Sequence, residues 1–400
     1  MPAEYDIVVI GAGHAGVALV QHLRANGFSG SIALVGDEPH APYQRPPLTK
    51  DLLLGDSNLE DISLGLDPEA RAVTFMPSCR VVEIERQSRF VRLADGAKLG
   101  YGKLVLATGS RPRRLPGAED ANPLYLTCLA DCLALKERLP SIERIVVIGG
   151  GFIGLEAAAA LRKLGKTVTV VEAQARLLAR AGTVTLSDYL HRLHTRHGVD
   201  IRLSAQVDHL SKSGVTLKDG TFLPADAIII GIGALPNDDL ARQAGLDCDN
   251  GILVDELART SDPHILAAGD CTCHPNMYTP VSPFRLESVQ NAGDQAVTAA
   301  ETLLGREKPY RVLPTFWSDQ YDARIAIAGV SLGADETAVR GDPAGDSFSV
   351  FCWRQGRLVA VESVNRPKDQ RVARQIILAK GITPEQVRDE KLDLKKAIPA

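Results

Sequence analysis

The chain opens on a short apolar run, Ile7-Val8-Val9-Ile10, followed by glycines, a segment of helical periodicity and a second apolar run, Ile32-Ala33-Leu34-Val35. Short apolar runs bounded by turn residues predict buried strands, and the periodic segment between them predicts a crossover helix. The same order returns from Arg144 to Glu172: Ile145-Val146-Val147-Ile148, glycines, a helix, then Val168-Thr169-Val170-Val171. Two strand–helix–strand units about 140 positions apart indicate a duplicated domain, not a short-period repeat. Residues 81–107 alternate apolar and polar around an Asp95-Gly96 turn, which predicts antiparallel strands inserted in the first unit. They end in a buried strand, Leu104–Ala107, that stops at Gly109. After the second unit, an Asp219-Gly220 turn and an Ala227–Ile230 strand repeat this scheme. Beyond about residue 314 the pattern becomes antiparallel and holds both tryptophans, Trp317 and Trp353, predicting a third, smaller α+β domain.

Composition narrows the class. A chain of 400 residues, 45% hydrophobic and 24% charged, is that of a soluble protein of several domains. A net charge of −4 and 5% aromatic content argue against a nucleic-acid surface. No apolar run reaches the ~18 residues that span a bilayer. The start, Met1-Pro2-Ala3-Glu4-Tyr5-Asp6, lacks the features of a signal peptide, so a cytoplasmic location is expected. Cysteines at 79, 128, 132, 248, 271, 273 and 352 are odd in number and irregular in spacing, as for buried thiols in a reducing compartment. Neither Cys128/Cys132 nor Cys271/Cys273 with His274 completes a zinc ligand set, and no metal is expected.

Gly11-Ala12-Gly13-His14-Ala15-Gly16 is G-x-G-x-x-G between a strand and a helix. Its first glycine permits the tight turn, the second lets backbone approach a pyrophosphate, and the third lets helix and strand pack closely. The helix N-terminus then offers unpaired N–H groups to phosphate. Asp37 and Glu38 follow the second strand, and Asp37 is the preferred ribose ligand. Gly149-Gly150-Gly151-Phe152-Ile153-Gly154 repeats the arrangement, with Glu172 ending the strand and no arginine immediately after it. A carboxylate there binds a ribose hydroxyl and repels a 2′-phosphate, which favours NADH over NADPH.

Further segments carry a family resemblance. Pro42-Tyr43-Gln44-Arg45-Pro46-Pro47-Leu48-Thr49-Lys50, Ala107-Thr108-Gly109-Ser110-Arg111-Pro112, Ala268-Gly269-Asp270-Cys271, Glu287-Ser288-Val289-Gln290-Asn291-Ala292 and Phe316-Trp317-Ser318-Asp319-Gln320-Tyr321 resemble segments of the FAD-dependent ferredoxin reductases of bacterial P450 and Rieske dioxygenase systems, relatives of apoptosis-inducing factor. Thr49 stands where the family has serine and keeps the hydroxyl. The resemblance implies an α/β, glutathione-reductase-like fold with two Rossmann-type dinucleotide-binding domains plus a C-terminal α+β domain. FAD would occupy 1–112 with 245–313, NADH 113–244, and the C-terminal domain 314–400. Disulfide reductases of this fold carry a Cys-x-x-x-x-Cys pair where this chain has Tyr43 to Lys50 and no cysteine, so no thiol relay is expected beside the flavin.

By the same resemblance, FAD would meet Gly11, Gly13, His14, Ala15, Gly16, Asp37, Arg45, Lys50, Val82, Ala107, Thr108, Gly109, Arg111, Gly269, Asp270, Glu287, Ser288, Val289 and Trp317. NADH would meet Gly149, Gly151, Phe152, Ile153, Gly154, Glu156, Glu172, Gly231 and Gly233. Glu156, expected on the first turn of its helix, would pair with Lys50 and hold the nicotinamide amide. Lys50 would stabilise the reduced ring, and Trp317 would lie where electrons leave. A helix-terminal acid, a surface lysine and a packing tryptophan are the structural alternatives. The implied partner is an acidic [2Fe–2S] ferredoxin, with Arg306, Lys308 and Arg311 and then Arg366, Lys368, Arg371 and Arg374 as docking candidates. A rubredoxin or other small-acceptor reductase, or a redox-responsive interaction flavoprotein, are the competing readings. Monomer and weak dimer are both compatible with the sequence.

Overall fold

The computed structural model describes residues 3–379 and 381–397. Two compact units form: one from the chain up to Gln44, Leu59–Arg111 and Leu235–Pro314, the other from Arg45–Asn58, Pro112–Ala234 and the chain from Thr315 onward. By compactness, the C-terminal segment therefore groups with residues 112–234.

The first unit is built on β1 (Ala3–Ile10), α1 (His14–Ala25), β2 (Ile32–Val35), β3 (Val73–Met76), β4 (Val81–Glu85), β5 (Phe90–Leu93) and β6 (Lys98–Leu106). The sheet order is β3-β2-β1-β6-β5-β4, parallel from β3 to β6 and antiparallel beyond. On the edge away from β1, β6 serves two partners. Its first half pairs with β5, and Leu104, Val105 and Leu106 pair in parallel with the strand Ile265–Ala267. The parallel part of the sheet is covered on both faces, so β1 is apolar on both sides. Ile7 and Val9 pack with α1 and the helix Val289–Leu303, whereas Val8 and Ile10 pack with Leu104, Leu106 and Leu246. Alanines at 292, 296, 299 and 300 keep the second helix close to α1, and His22 meets Glu301 at 2.6 Å between them.

In the second unit, β7 (Arg144–Ile148), α2 (Phe152–Lys163), β8 (Thr167–Val171), α3 (Val184–Arg196), β9 (Asp200–Arg202) and β10 (Ala227–Ile230) build a parallel sheet of order β9-β8-β7-β10. After it, β11 (Thr315–Gln320), β12 (Ala323–Gly329), β13 (Glu336–Asp342), β14 (Ser347–Arg354) and β15 (Arg357–Val364) form an antiparallel sheet of order β11-β12-β15-β14-β13, followed by α4 (Pro367–Ala379). Leu186, Tyr189, Leu190 and Leu193 form one face of α3 and pack with Ile325, Phe348, Val350 and Cys352 of the antiparallel sheet. Each fully buried leucine contributes about 1.5–3 kcal/mol. The start of α3 is tied down as well: Thr183 caps Leu186 N–H, and its own N–H and hydroxyl donate to the buried carboxylate of Glu362.

Candidate cofactor sites and a buried carboxylate cluster

The first glycine turn lies between β1 and α1, inside the first unit. Gly11 has φ +112°, and a Cβ there would lie 2.1 Å from the Ala107 carbonyl oxygen. A Cβ on Gly16 would lie 1.9 Å from the Gly11 carbonyl oxygen. Gly13 is different: a Cβ there would meet nothing within 4 Å. The turn is thus closed toward the protein and open where a pyrophosphate would rest against the start of α1, so these residues fit FAD. Gly269 joins the two halves of the site, since a Cβ there would sit 3.1 Å from Ala15 of α1 and 3.8 Å from Ala292. Gln295 fixes that loop by accepting from Gly269 N–H at 2.8 Å and Thr272 Oγ1 at 2.9 Å. Ser110 donates to Asp270 Oδ2 at 3.2 Å, and Ser288 caps the helix beginning at Val289 through Asn291 N–H.

The second turn repeats this stereochemistry in the second unit. A Cβ on Gly149 would lie 2.3 Å from the Gly231 carbonyl oxygen, one on Gly154 would lie 2.2 Å from that of Gly149, and one on Gly151 would meet nothing within 4 Å. Glu172 accepts from Gly150 N–H and Gln174 N–H, both at 2.7 Å, one on each oxygen. Each oxygen retains a lone pair for a ribose hydroxyl. Ile153 stays 49% exposed at the mouth of the turn, while the Phe152 ring packs 4.6 Å from Phe316. Gly233 accepts from Arg113 N–H at 2.9 Å.

Glu156 lies deeper in the same unit. It is the fifth residue of α2, just past the first turn on which the spacing had placed it, so a favourable first-turn dipole does not explain it. Its carboxylate is 7% exposed and accepts three donors: Lys50 Nζ at 3.0 Å and Ser318 Oγ at 2.5 Å on Oε1, and Thr49 Oγ1 at 2.8 Å on Oε2. Burial pushes the Glu156 carboxyl up, opposed by the Lys50 ammonium and by the Ser318 and Thr49 hydroxyls. The 3₁₀ turn Pro46–Thr49 brings Thr49 and Lys50 to this point, and the alternation of β11 turns Ser318 and Gln320 inward while Trp317 faces out, 37% exposed. Lys50 is thus a buried partner and not a surface lysine.

The other expected residues are distributed over both units. Arg45 and Lys50 belong to the segment 45–58 of the second unit, where Arg45 donates to the Thr127 carbonyl at 2.5 Å. Val82 lies on β4 at the end of the sheet, 37% exposed. Asp37 is exposed beside Glu38, which accepts from the Tyr43 hydroxyl. Glu287 pairs with Arg285. Among the docking candidates, Arg306 pairs with Glu301, Arg311 with Glu256, and Arg366 with Asp369, while Lys308, Lys368, Arg371 and Arg374 are exposed. Sequence reasoning overlooked Asn237, which holds the Ala107–Gly109 turn by accepting and donating at Thr108 and Gly109, and which together with Asp239 engages Arg111. It also overlooked Ser318, Gln320 and His194. Ser318 and Gln320 lie within the Phe316–Tyr321 segment, while His194 carries no sequence signal. Cys132, Cys271, Cys273 and Cys352 are buried, and burial pushes each thiol up. Among the described residues no helix is long and apolar enough to cross a membrane.

Two dinucleotide turns of this stereochemistry define a flavin- and pyridine-nucleotide-dependent oxidoreductase. The profile of the pyridine nucleotide-disulphide oxidoreductases matches residues 5–296 and that of the reductase C-terminal domain residues 315–398, and the chain belongs to this family of FAD-dependent enzymes. It is 46% identical to rhodocoxin reductase of Rhodococcus erythropolis, over 98% of this chain and 94% of the relative. A ferredoxin reductase from Rhodopseudomonas palustris superimposes with a TM-score of 0.94 at 42% identity, covering 98% of this chain and 100% of that one. The reductase in a covalent putidaredoxin reductase–putidaredoxin complex also gives 0.94, at 39% identity, over 99% and 98%.

Proposed function

We propose that this protein is an NADH-dependent ferredoxin reductase that supplies electrons to a P450 or Rieske oxygenase through a [2Fe–2S] ferredoxin in the cytoplasm. When bound, FAD accepts a hydride from NADH and releases the two electrons singly, which is the chemistry the polypeptide must orient. In this reading Gly13 and the start of α1 receive the FAD pyrophosphate, and Asp270 orients the rest of that cofactor. Gly151 and the start of α2 receive the NADH pyrophosphate, and Glu172 selects the unphosphorylated ribose. Glu156 accepts from the nicotinamide amide. Lys50, held in place beforehand by Glu156, would supply positive charge without reorganisation where negative charge develops on hydride transfer.

The observation that supports this most strongly is the Lys50–Glu156 pair, buried and doubly hydroxyl-capped, on the helix that opens at the second glycine turn. The named relatives and their ferredoxin partner argue for the acceptor, as does the absence of cysteine from Tyr43 to Lys50. The test is cytochrome c reduction by NADH with and without an added [2Fe–2S] ferredoxin, over a range of salt. Turnover that requires ferredoxin and slows with salt is expected. Turnover indifferent to ferredoxin, or faster with rubredoxin, would assign a different acceptor.

A further inference from the structure

Behind Glu156 the polar contacts continue into the second unit. Gln320 Nε2 donates to Ser318 Oγ at 3.0 Å, and Gln320 Oε1 meets His194 Nε2 at 2.8 Å. All of these groups are buried, Ser318 and His194 at 0% exposure and Gln320 at 1%. The valences fix the direction of every proton. Glu156 accepts, so the Ser318 hydroxyl must donate to it. The Ser318 oxygen then accepts from the Gln320 amide nitrogen, which leaves the Gln320 carbonyl facing His194. His194 therefore carries its proton on Nε2, and its Nδ1, buried and without a hydrogen-bond partner, is bare. A proton on Nδ1 would be stranded away from any acceptor.

We infer that His194 and Gln320 are positioning residues: by fixing which way the Gln320 amide points, His194 keeps the Ser318 hydroxyl donating to Glu156. Without the imidazole donor only the bond to Ser318 holds the amide in this orientation. Turned over, its carbonyl would compete for the Ser318 proton, and Glu156 would lose one of its three donors. The chain thus lets a residue on α3 set how firmly Glu156 keeps its negative charge, and this rests on the assignment of Glu156 to the nicotinamide. The charged and titratable groups around these contacts are Lys50 at Glu156, His191 of α3, His197 just after it and Tyr321 at His194, and Arg162 of α2 beside Tyr321. His197 stacks on Tyr321 at 3.7 Å and leaves Gln320 to His194.

The test uses the FAD-loaded protein with His194→Phe, which removes the donor, and His194→Gln, whose Nε2 can replace it. The acid limb of the NADH reductive half-reaction should move to higher pH in His194→Phe and in Ser318→Ala, and return toward wild type in His194→Gln. Affinity for NAD⁺, measured separately, should fall in parallel in the first two. Nitrogen-15 spectra of histidine-labelled wild-type protein should show His194 as the Nε2–H tautomer, and this reading stands even if His194→Phe fails to fold. An Nδ1–H tautomer, or an acid limb unmoved in folded His194→Phe while Glu156→Gln shifts it, would overturn the inference. Loss of effect in Glu156→Gln itself would instead remove Glu156 from the nicotinamide site.

Discussion

Replacing Glu156 by leucine removes the acceptor shared by Lys50, Ser318 and Thr49. The Lys50 side chain is only 13% exposed, so its charge cannot simply return to water. Stranding one member of a buried ion pair costs about 3–5 kcal/mol. For a unit of this size each kcal/mol lowers the midpoint by about 2–4 °C, so Glu156→Leu should melt about 6–20 °C early. Lys50→Met should cost less, because the carboxyl left behind can take up a proton and keep its two hydroxyl partners. The double variant Lys50→Met/Glu156→Leu buries neither charge and should recover most of the loss, giving a large coupling energy. Calorimetry on the FAD-loaded proteins reads all four corners of the cycle. Additive effects of the two single changes, or a Glu156→Leu midpoint equal to wild type, would show that the pair is not held as described.

Other outcomes follow from the same geometry. Gly11→Ala should abolish FAD retention, and Gly154→Ala should leave the protein yellow but weaken NADH binding; flavin content and NADH titration separate the two, since the new methyl groups would collide with backbone oxygens at 2.1 and 2.2 Å. Glu172→Arg should lower the preference for NADH over NADPH, read as the ratio of kcat/KM values. Burial holds the imidazoles of His194 and His274 down to about 4, below the unfolded value near 6.5. The unfolded chain then binds more protons between pH 4 and 6.5, so stability is present above that window and is lost as pH falls through it, by up to about 1.4 kcal/mol per pH unit per histidine. Denaturant midpoints across pH 4–7 for wild type and His274→Phe should show the slope decreasing in the variant.

The two glycine turns were legible because their chemistry is local. Strand, close-packed glycines, helix and terminal acid are contiguous in the chain, and the structure repeats the same backbone approaches at Gly11/Gly16 and Gly149/Gly154. The division of β6 between β5 and Ile265–Ala267 was not legible, since it pairs residues about 160 positions apart. Glu156 and Lys50 were named only through the resemblance, because a carboxylate on one helix and a lysine about 100 residues earlier show no spacing pattern. Gln320 and His194 escaped for the same reason. A buried histidine on an amphipathic helix reads as core until its partner on another element is known.

A flavin that NADH can reduce in this polypeptide is the central requirement of the proposed activity. The visible spectrum of the purified protein, recorded before and after one equivalent of NADH without oxygen, tests it. An oxidised flavin spectrum that bleaches on NADH, and bleaches more slowly in Glu156→Gln, is the predicted result. A colourless protein that FAD does not reconstitute, or a bound flavin that NADH leaves oxidised, would contradict it.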